Sequence, residues 1–249
     1  MIFSDYAHFY DLYYSKKDYM AEVDFVLELA SRFGNRPKTV LDMGCGTGRH
    51  MEKFIKAGIK CDGFDLSPEM LVQAHQRMSG KDITLTEGNL TSFENGKKYD
   101  LIVAMFAVMG YLTENEQMLA GLRTAFKHLN PQGIFVFDGW FGPAVLVQQP
   151  EERCHEYENK RGKVERKVVP HLDPVRQTVT MNYEVTVKRD GQIIQRISEE
   201  HIMRFMFIHE MAFAMEKVGL ELVYYCPFME PDKGLTTADW NVSFVAQKK

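Results

Sequence analysis

Three alternating glycines and an acid further along the chain are the residues best placed by type and spacing to do chemistry. Val40-Leu41-Asp42-Met43-Gly44-Cys45-Gly46-Thr47-Gly48 carries an apolar strand pattern into a glycine bend, and a helical pattern begins at Arg49. Glycine permits positive φ and leaves no side chain to obstruct a ligand pressed against the backbone. A dinucleotide site would read G-x-G-x-x-G, with pyrophosphate at the helix N-terminus. Here the third glycine arrives one residue early and Arg49 takes the sixth place, a spacing that suits a ligand without pyrophosphate. A bare tight turn is the competing explanation of the same glycines. Asp65 supplies the second component, because Rossmann-like folds place an acid roughly 20 residues beyond the loop to hold ribose hydroxyls. An ionised carboxylate accepts two hydrogen bonds and so suits a vicinal diol. Helix capping is the other role open to Asp65, but Ser67, ahead of Pro68 and Glu69, already fills that position.

These groups need a frame that brings strand ends together. The pattern predicts a helix over 18–33, a strand over 39–42, a helix over 49–57, a strand over 60–64 and a helix running to Met78. Strands follow at 83–86 and 99–106, the latter apolar enough to be buried on both faces of a parallel sheet. A helix over 114–129 stops at Asn130-Pro131-Gln132-Gly133, and 134–137 is a fifth strand. Such alternation implies parallel strands joined by right-handed crossovers. Beyond Trp140 the character changes: 178–187 alternates, Asp190-Gly191 is a hairpin signal, and 192–197 alternates again. A helix over 210–218 and strands over 220–225 and 240–246 close the chain. The fold class expected is α/β, a Rossmann-like seven-stranded, mostly parallel sheet with an antiparallel β insertion after the fifth strand. Residues 1–145 and 205–249 would form the core, and 146–204 the insertion.

Composition narrows the function classes. A chain of 249 residues, 45% hydrophobic and 26% charged, is globular and long enough for one large domain or a core with a sizeable insertion. A net charge of -4 provides no global basic field for nucleic acid. The longest apolar run, 101–109, is too short to cross a bilayer. Met1-Ile2-Phe3-Ser4-Asp5-Tyr6 lacks the charged and apolar regions of a signal peptide. Four cysteines without C-x-x-C spacing argue against a zinc knuckle or a disulfide framework. The expectation is a reduced, cytoplasmic chain with no metal, no nucleic-acid partner and no membrane segment; a homodimer is compatible with the sequence.

The bend, the acid and the order of elements resemble the class I S-adenosylmethionine-dependent methyltransferases. Asn89-Leu90, after the third strand, stands where that family has an acid and an apolar residue around adenine. Asparagine departs from the acid, yet its amide oxygen still accepts a hydrogen bond from an amine. Leu129-Asn130-Pro131-Gln132-Gly133 is similar to the family's L-x-P-G-G turn. Tyr10-Asp11-Leu12-Tyr13-Tyr14 with Lys17-Asp18-Tyr19, Met105-Phe106-Ala107-Val108-Met109-Gly110-Tyr111-Leu112, Trp140-Phe141-Gly142-Pro143 and Phe207-Ile208-His209-Glu210 resemble bacterial N,N-dimethyltransferases of nucleotide-linked 3-amino sugars. The resemblance implies S-adenosyl-L-methionine as cofactor and a small-molecule amine as methyl acceptor, with the insertion covering the acceptor site. It implies a cofactor set of Tyr14, Asp42, Gly44, Gly46, Asp65, Leu66, Asn89, Leu90 and Met105, with Tyr14 as a lid and Met105 beneath the sulfonium or adenosine. Methylation of oxygen or carbon on the same fold, or an NAD-dependent oxidoreductase module, are the alternatives. The glycine spacing and the lack of a hydride-transfer constellation weigh against the last.

Displacement at a sulfonium asks the protein chiefly for positioning, exclusion of water and a neutral amine. Eight histidines are scattered through the chain. His209, opening the late helix near the expected cavity mouth, is the candidate base, although a neutral amine can react without one. Tyr6, Phe9, Tyr10, Tyr13 and Tyr14 recur at helical spacing, and Phe9 and Tyr10 read as core packing. Arg153, Arg161, Lys163, Arg166 and Lys167 could bond acceptor phosphates, but the glutamates among them make a solvated face the expectation.

Overall fold

A computed structural model describes residues 7–159 and 162–249; Tyr6 and Arg161 lie outside them. Its frame is a seven-stranded sheet whose inner strand β1 (Thr39–Met43) is parallel to β2 (Lys60–Asp65) on one side and to β4 (Tyr99–Ala104) on the other. β3 (Leu85–Glu87) extends the β2 side, and β5 (Leu129–Trp140) extends the β4 side in parallel. β11 (Asn241–Lys248) then inserts antiparallel between β5 and β10 (Leu220–Pro227), giving the order β10-β11-β5-β4-β1-β2-β3. The chain leaves β1 toward β2 and returns to β4 on the opposite side. Strand ends diverge at such a switch point and leave a crevice beyond their carboxyl ends.

Strand alternation explains why both faces of this sheet are dry. Leu41, Met43, Ile102, Ala104, Phe135 and Phe137 pack on one face, and Val40, Leu101, Val103 and Val136 on the other. The helices that cover them show their local causes. In α2 (Tyr19–Phe33) the Asp18 carboxylate accepts from the amides of Met20 and Ala21 at 3.1 and 3.0 Å, and Val23, Val26, Leu29 and Ala30 form the buried stripe. α3 (Arg49–Lys56) follows the glycine bend, and α4 (Pro68–Arg77) starts on the Ser67 cap. α5 (Asn115–His128) has a capping box between Glu114 and Gln117.

α5 stops at His128, just before Asn130-Pro131-Gln132-Gly133 as expected, but that tetrapeptide lies inside β5 and not ahead of it. It is an insertion within β5: Leu129 pairs with Tyr99 and Ile134 with Leu101, so the extra residues loop out and Gln132 takes φ 63°. β3 is also shorter and later than the 83–86 pattern predicts. α6 (Gly142–Gln148) gave no signal of its own.

A second sheet, four antiparallel strands in the order β6-β7-β8-β9, is built from β6 (Arg153–Asn159), β7 (Gly162–Asp173), β8 (Thr178–Arg189) and β9 (Gln192–Arg204). Asp190 and Gly191 turn β8 into β9 with φ of 51° and 79°, as a two-residue hairpin with positive φ at both positions requires. α7 (Ile208–Glu216) returns the chain to the first sheet.

The N-terminal helix α1 (Ala7–Tyr13) joins the two sheets. Phe9 and Tyr13 are buried against Val164, Val185, Val187 and Ile197 of the second sheet. From the same helix the Asp11 carboxylate accepts from Thr47 Oγ1 and Arg49 Nε, both at 2.8 Å, and from Arg77. Partial burial alone would raise the Asp11 pKa; the Arg49 and Thr47 bonds and the Arg77 charge outweigh it and hold the group below its ordinary value. The aromatic helix therefore straps the glycine bend to the insertion.

Candidate active site

The crevice and the second sheet enclose a cavity of about 450 Å³, within the range of small-ligand sites. Its floor is the glycine bend. Gly44 and Gly46 have φ of 75° and 53°, and the amides of Gly44 and Cys45 donate to the Phe64 carbonyl at 2.8 and 3.0 Å. A Cβ built on Gly46 would meet no atom within 4 Å, so backbone there lies open to a ligand. Asp65 faces this bend: Oδ2 accepts from the Gly46 amide at 2.8 Å, and Oδ1 from the Ser67 amide at 2.9 Å.

Two buried carboxyl groups, Asp42 and Asp138, and the half-buried Asp65 surround this floor. Burial pushes the Asp65 pKa up, against the amides of Ser67, Gly46 and Leu66 that hold it down. Asp42, 2% exposed, has an Oδ2 with no hydrogen-bond partner, and burial followed by the Asp65 charge pushes its pKa to about 7. Asp138, at the carboxyl end of β5, accepts from the amides of Phe106 and Ala107, the latter at 3.1 Å. Burial raises it to about 6, opposed by those amides and by Lys17. The orphaned Asp42 oxygen near the Asp65 carboxyl is an environment that a cation relieves.

Aromatic rings form the side wall. Tyr14 sits edge-on to Phe106 with centroids 4.8 Å apart, and Tyr10 is also 4.8 Å from Tyr14. Lys17 Nζ lies 3.6 Å from the Phe106 centroid and 3.2 Å from Glu22, and burial lowers its pKa. Opposite stands the second sheet, where the Arg166 guanidinium lies 4.9 Å from the Tyr13 and Tyr183 ring centroids and donates to the Tyr14 hydroxyl at 3.4 Å. His155, Arg153 and His201 line that wall as well.

Of the positions singled out in the sequence, Tyr14, Gly44, Gly46, Asp65 and Met105 meet at the cavity, with Asp42 buried behind the bend. Leu66, Asn89 and Leu90 do not line it. Leu66 turns outward at 57% exposure where the chain caps α4. The Asn89 Oδ1 is taken by the amide and hydroxyl of Thr91, and Leu90 packs against the core. His209 is exposed in the first turn of α7 and is not part of the cavity wall. Tyr10, read as packing, lines the cavity, while Phe9 does pack. Of the basic residues, Arg153 and Arg166 reach the cavity, whereas Lys167 pairs with Glu152 at 2.8 Å.

Asp138, Tyr183 and His201 escaped the sequence reading. Asp138 had a signal, an acid at the carboxyl end of an apolar parallel strand. His201 had a fainter one, since Ile197, Glu199, His201 and Met203 share the inward face of β9 by alternation. Among the described residues there is no cluster of His, Cys, Asp or Glu that could hold a metal ion, and no helix long and apolar enough to cross a membrane.

Comparisons with known proteins agree with this fold. Residues 40–133 match the family model of a methyltransferase domain. A dTDP-3-amino-3,4,6-trideoxy-alpha-D-glucopyranose N,N-dimethyltransferase of Streptomyces venezuelae is 29% identical over 222 residues, 88% of this chain and 92% of that protein. A dTDP-3-amino-3,6-dideoxy-alpha-D-glucopyranose N,N-dimethyltransferase of Streptomyces fradiae is 30% identical, and there the match spans about half of each, 55% of this chain and 54% of that one. The crystal structure of Streptomyces venezuelae DesVI superposes with a TM-score of 0.82 at 27% identity, covering 99% of both chains. An S-adenosylmethionine-dependent methyltransferase from Clostridium acetobutylicum ATCC 824, 22% identical over 98% of both chains, shares the fold with a TM-score of 0.80.

Proposed function

We propose, starting from a chain that is an S-adenosylmethionine-dependent methyltransferase, that the methyl group passes to the amine of a small molecule, an amino sugar carried on a nucleotide. The observation that carries the acceptor is the cavity's second wall. Arg166 stands there held between the Tyr13 and Tyr183 rings, with the exposed Arg153 beside it, opposite a floor that brings the Asp65 carboxyl and open backbone together. Guanidinium groups bind phosphate bidentately, so this wall suits the diphosphate of a nucleotide sugar. The relative that matches nearly end to end acts, by its name, on such an amine. The second sheet accordingly covers the acceptor, and the chain's net charge of -4 offers nothing to a nucleic-acid backbone. Its cysteines are all free, which fits work in the reducing cytoplasm.

S-adenosylmethionine, when bound, supplies a methyl group on a positively charged sulfur that is already activated toward displacement. The residues fit it: the diol acceptor Asp65, the open backbone at Gly46 and the orphaned Asp42 oxygen match a ribose, a methionine arm and a cation in turn. Asp65 would accept from the ribose hydroxyls. Gly44 and Gly46 would admit the methionine portion, and Met105 would pack beside the adenosine. Tyr10, Tyr14 and Phe106 would close over the reacting atoms and keep water from them.

The acceptor is tested by supplying amino sugar nucleotides, simple amines and non-amine acceptors under equal conditions. Amino sugar nucleotides are expected to turn over fastest, and turnover confined to hydroxyl or carbon acceptors would end the proposal. The buried carboxyls give a second test. Their ionised forms favour a cation, so the affinity for S-adenosylmethionine relative to its neutral thioether product, S-adenosylhomocysteine, should rise by roughly fivefold to tenfold from pH 5.5 to 8, about one pKa unit of coupling. This is the window set by Asp138 at about 6 and Asp42 at about 7. Calorimetry of both ligands across that range checks it, and a ratio independent of pH would mean these acids do not sense the sulfonium.

A further inference from the structure

We propose that Tyr111, His201 and Glu199 form a relay that takes up the proton the acceptor amine must lose before each methyl transfer. The inference rests on the amine acceptor proposed above and adds the residues that would serve it. Tyr111 and His201 both line the cavity. The Tyr111 hydroxyl lies 2.8 Å from His201 Nδ1, and His201 Nε2 lies 3.0 Å from Glu199 Oε2. His201 is 2% exposed, so this is a polar chain sealed within the protein wall.

Both contacts admit either tautomer, and the relay assigns one: with Glu199 as the carboxylate, Nε2 carries the hydrogen donated to Oε2. The neutral ring then leaves Nδ1 as an acceptor, and the Tyr111 hydroxyl donates to it. A base is thus presented to the cavity through a hydroxyl, with a carboxylate behind it to stabilise the imidazolium that forms.

The fold brings these residues together across 90 positions of sequence. Tyr111 ends the short 3-10 helix Val108–Tyr111 that follows β4. Gly110 in that helix lies against β9, where an added Cβ would come 3.0 Å from the Met203 side chain and 3.2 Å from the Arg204 carbonyl oxygen. A larger residue would hold the helix off the strand and lengthen the Tyr111–His201 bond. The charged and titratable groups facing the relay include Tyr183 of β8, its ring 4.9 Å from His201, then Arg166 of β7 beside Tyr183, and Tyr10, Tyr14 and Asp65 across the cavity. Burial raises the Tyr111 pKa well above its ordinary value, so the phenol stays protonated and conducts a proton without holding the charge.

The step balances as follows. An acceptor ammonium gives one proton to the Tyr111 oxygen while the Tyr111 proton moves to Nδ1 of His201, leaving a neutral amine and an imidazolium. The nitrogen lone pair forms the new N–C bond, and the C–S bond breaks with its electron pair returning to sulfur. The product is a methylated ammonium, and once it leaves, the imidazolium returns its proton through the Tyr111 hydroxyl to solvent in the cavity before the next transfer.

His201→Gln tests the idea, because glutamine can still accept from Tyr111 and donate to Glu199 but cannot take up a proton. With the acceptor that the wild type methylates best, kcat is expected to fall by roughly a hundredfold or more near neutral pH, on the scale of general-base catalysis. The loss should shrink as pH rises and solvent deprotonates the amine, so the acid limb of the profile moves to higher pH. Tyr111→Phe should shift the same limb, and the double variant should be no slower than the slower single one. S-adenosylhomocysteine affinity, measured on each variant, should match wild type, whereas the melting temperature of Tyr111→Phe should fall, because the buried His201 loses a hydrogen bond. A wild-type kcat and pH profile in His201→Gln, or a loss independent of pH, overturns the relay. A wild type that methylates no amine overturns the acceptor proposal, which is a separate result read on a separate sample.

Discussion

Asp65→Ala is expected to weaken S-adenosylhomocysteine binding by about 1–3 kcal/mol, the scale for hydrogen bonds to a charged group, or roughly tenfold to a hundredfold in Kd. Two effects act in the same direction. The ribose would lose its acceptor, and the bend would lose the bond from the Gly46 amide to Oδ2 that holds it at 2.8 Å. One effect opposes them: removing the Asp65 charge relieves Asp42, whose pKa that charge helps to raise. The relief improves the stability of the free protein and does nothing for the ligand, so the loss of affinity should dominate. Asp65→Asn should fall between, since its amide retains one acceptor but turns an NH2 group toward either Gly46 or Ser67, both of which donate. Isothermal calorimetry decides it, and an unchanged Kd in Asp65→Ala would remove Asp65 from the cofactor site.

What was legible in the sequence was what short stretches determine. The strand before Gly44, the bend, the Ser67 cap and the Asp190-Gly191 hairpin each depend on residues within a few positions, and the structure has all four. The mostly parallel sheet followed from strand–helix alternation, and the second sheet from period-two runs. The helix stop ahead of Asn130-Pro131-Gln132-Gly133 was legible, whereas the place of that turn inside β5 was not, because only pairing with β4 reveals it. Local spacing also fails to say where a side chain points once an element is placed. Asn89 is consumed by Thr91 two residues on, and His209 sits on the solvent side of the first turn of α7. His201 illustrates the opposite failure. Its significance depends on Tyr111, 90 residues away, and no periodicity within β9 indicates that a 3-10 helix will press against it. Metal and nucleic-acid readings stood apart from all of this, because they rested on composition and spacing alone.

Asp138→Ala is expected to cause the largest loss of stability, about 2–5 kcal/mol. The Asp138 carboxylate accepts from the amides of Phe106 and Ala107, and both residues are held at positive φ, 73° and 58°, without being glycine. Each such conformation stores about 1–3 kcal/mol of strain that the surroundings must impose. Alanine leaves two buried amides without a partner, at about 1–3 kcal/mol each, and frees the turn to relax. The turn carries Phe106, which packs on Tyr14, and Val108, whose Cγ1 would lie 2.6 Å from a Cβ at Gly44. Cofactor affinity should therefore fall along with stability. The pH dependence separates this mechanism from simple loss of packing. In the folded protein Asp138 keeps its proton up to about pH 6, whereas in the unfolded chain it ionises near the ordinary value of 3.8. The folded state then binds more protons between those values, and the wild type loses stability as pH rises through 6. Alanine abolishes that slope, so the destabilisation measured by urea unfolding should be about 1 kcal/mol larger at pH 5 than at pH 8. The Asp42 contribution is common to both proteins and cancels in the difference. Equal destabilisation at the two pH values would show that Asp138 titrates normally in the fold, and a variant as stable as wild type at both would show that the Phe106–Ala107 turn does not depend on it.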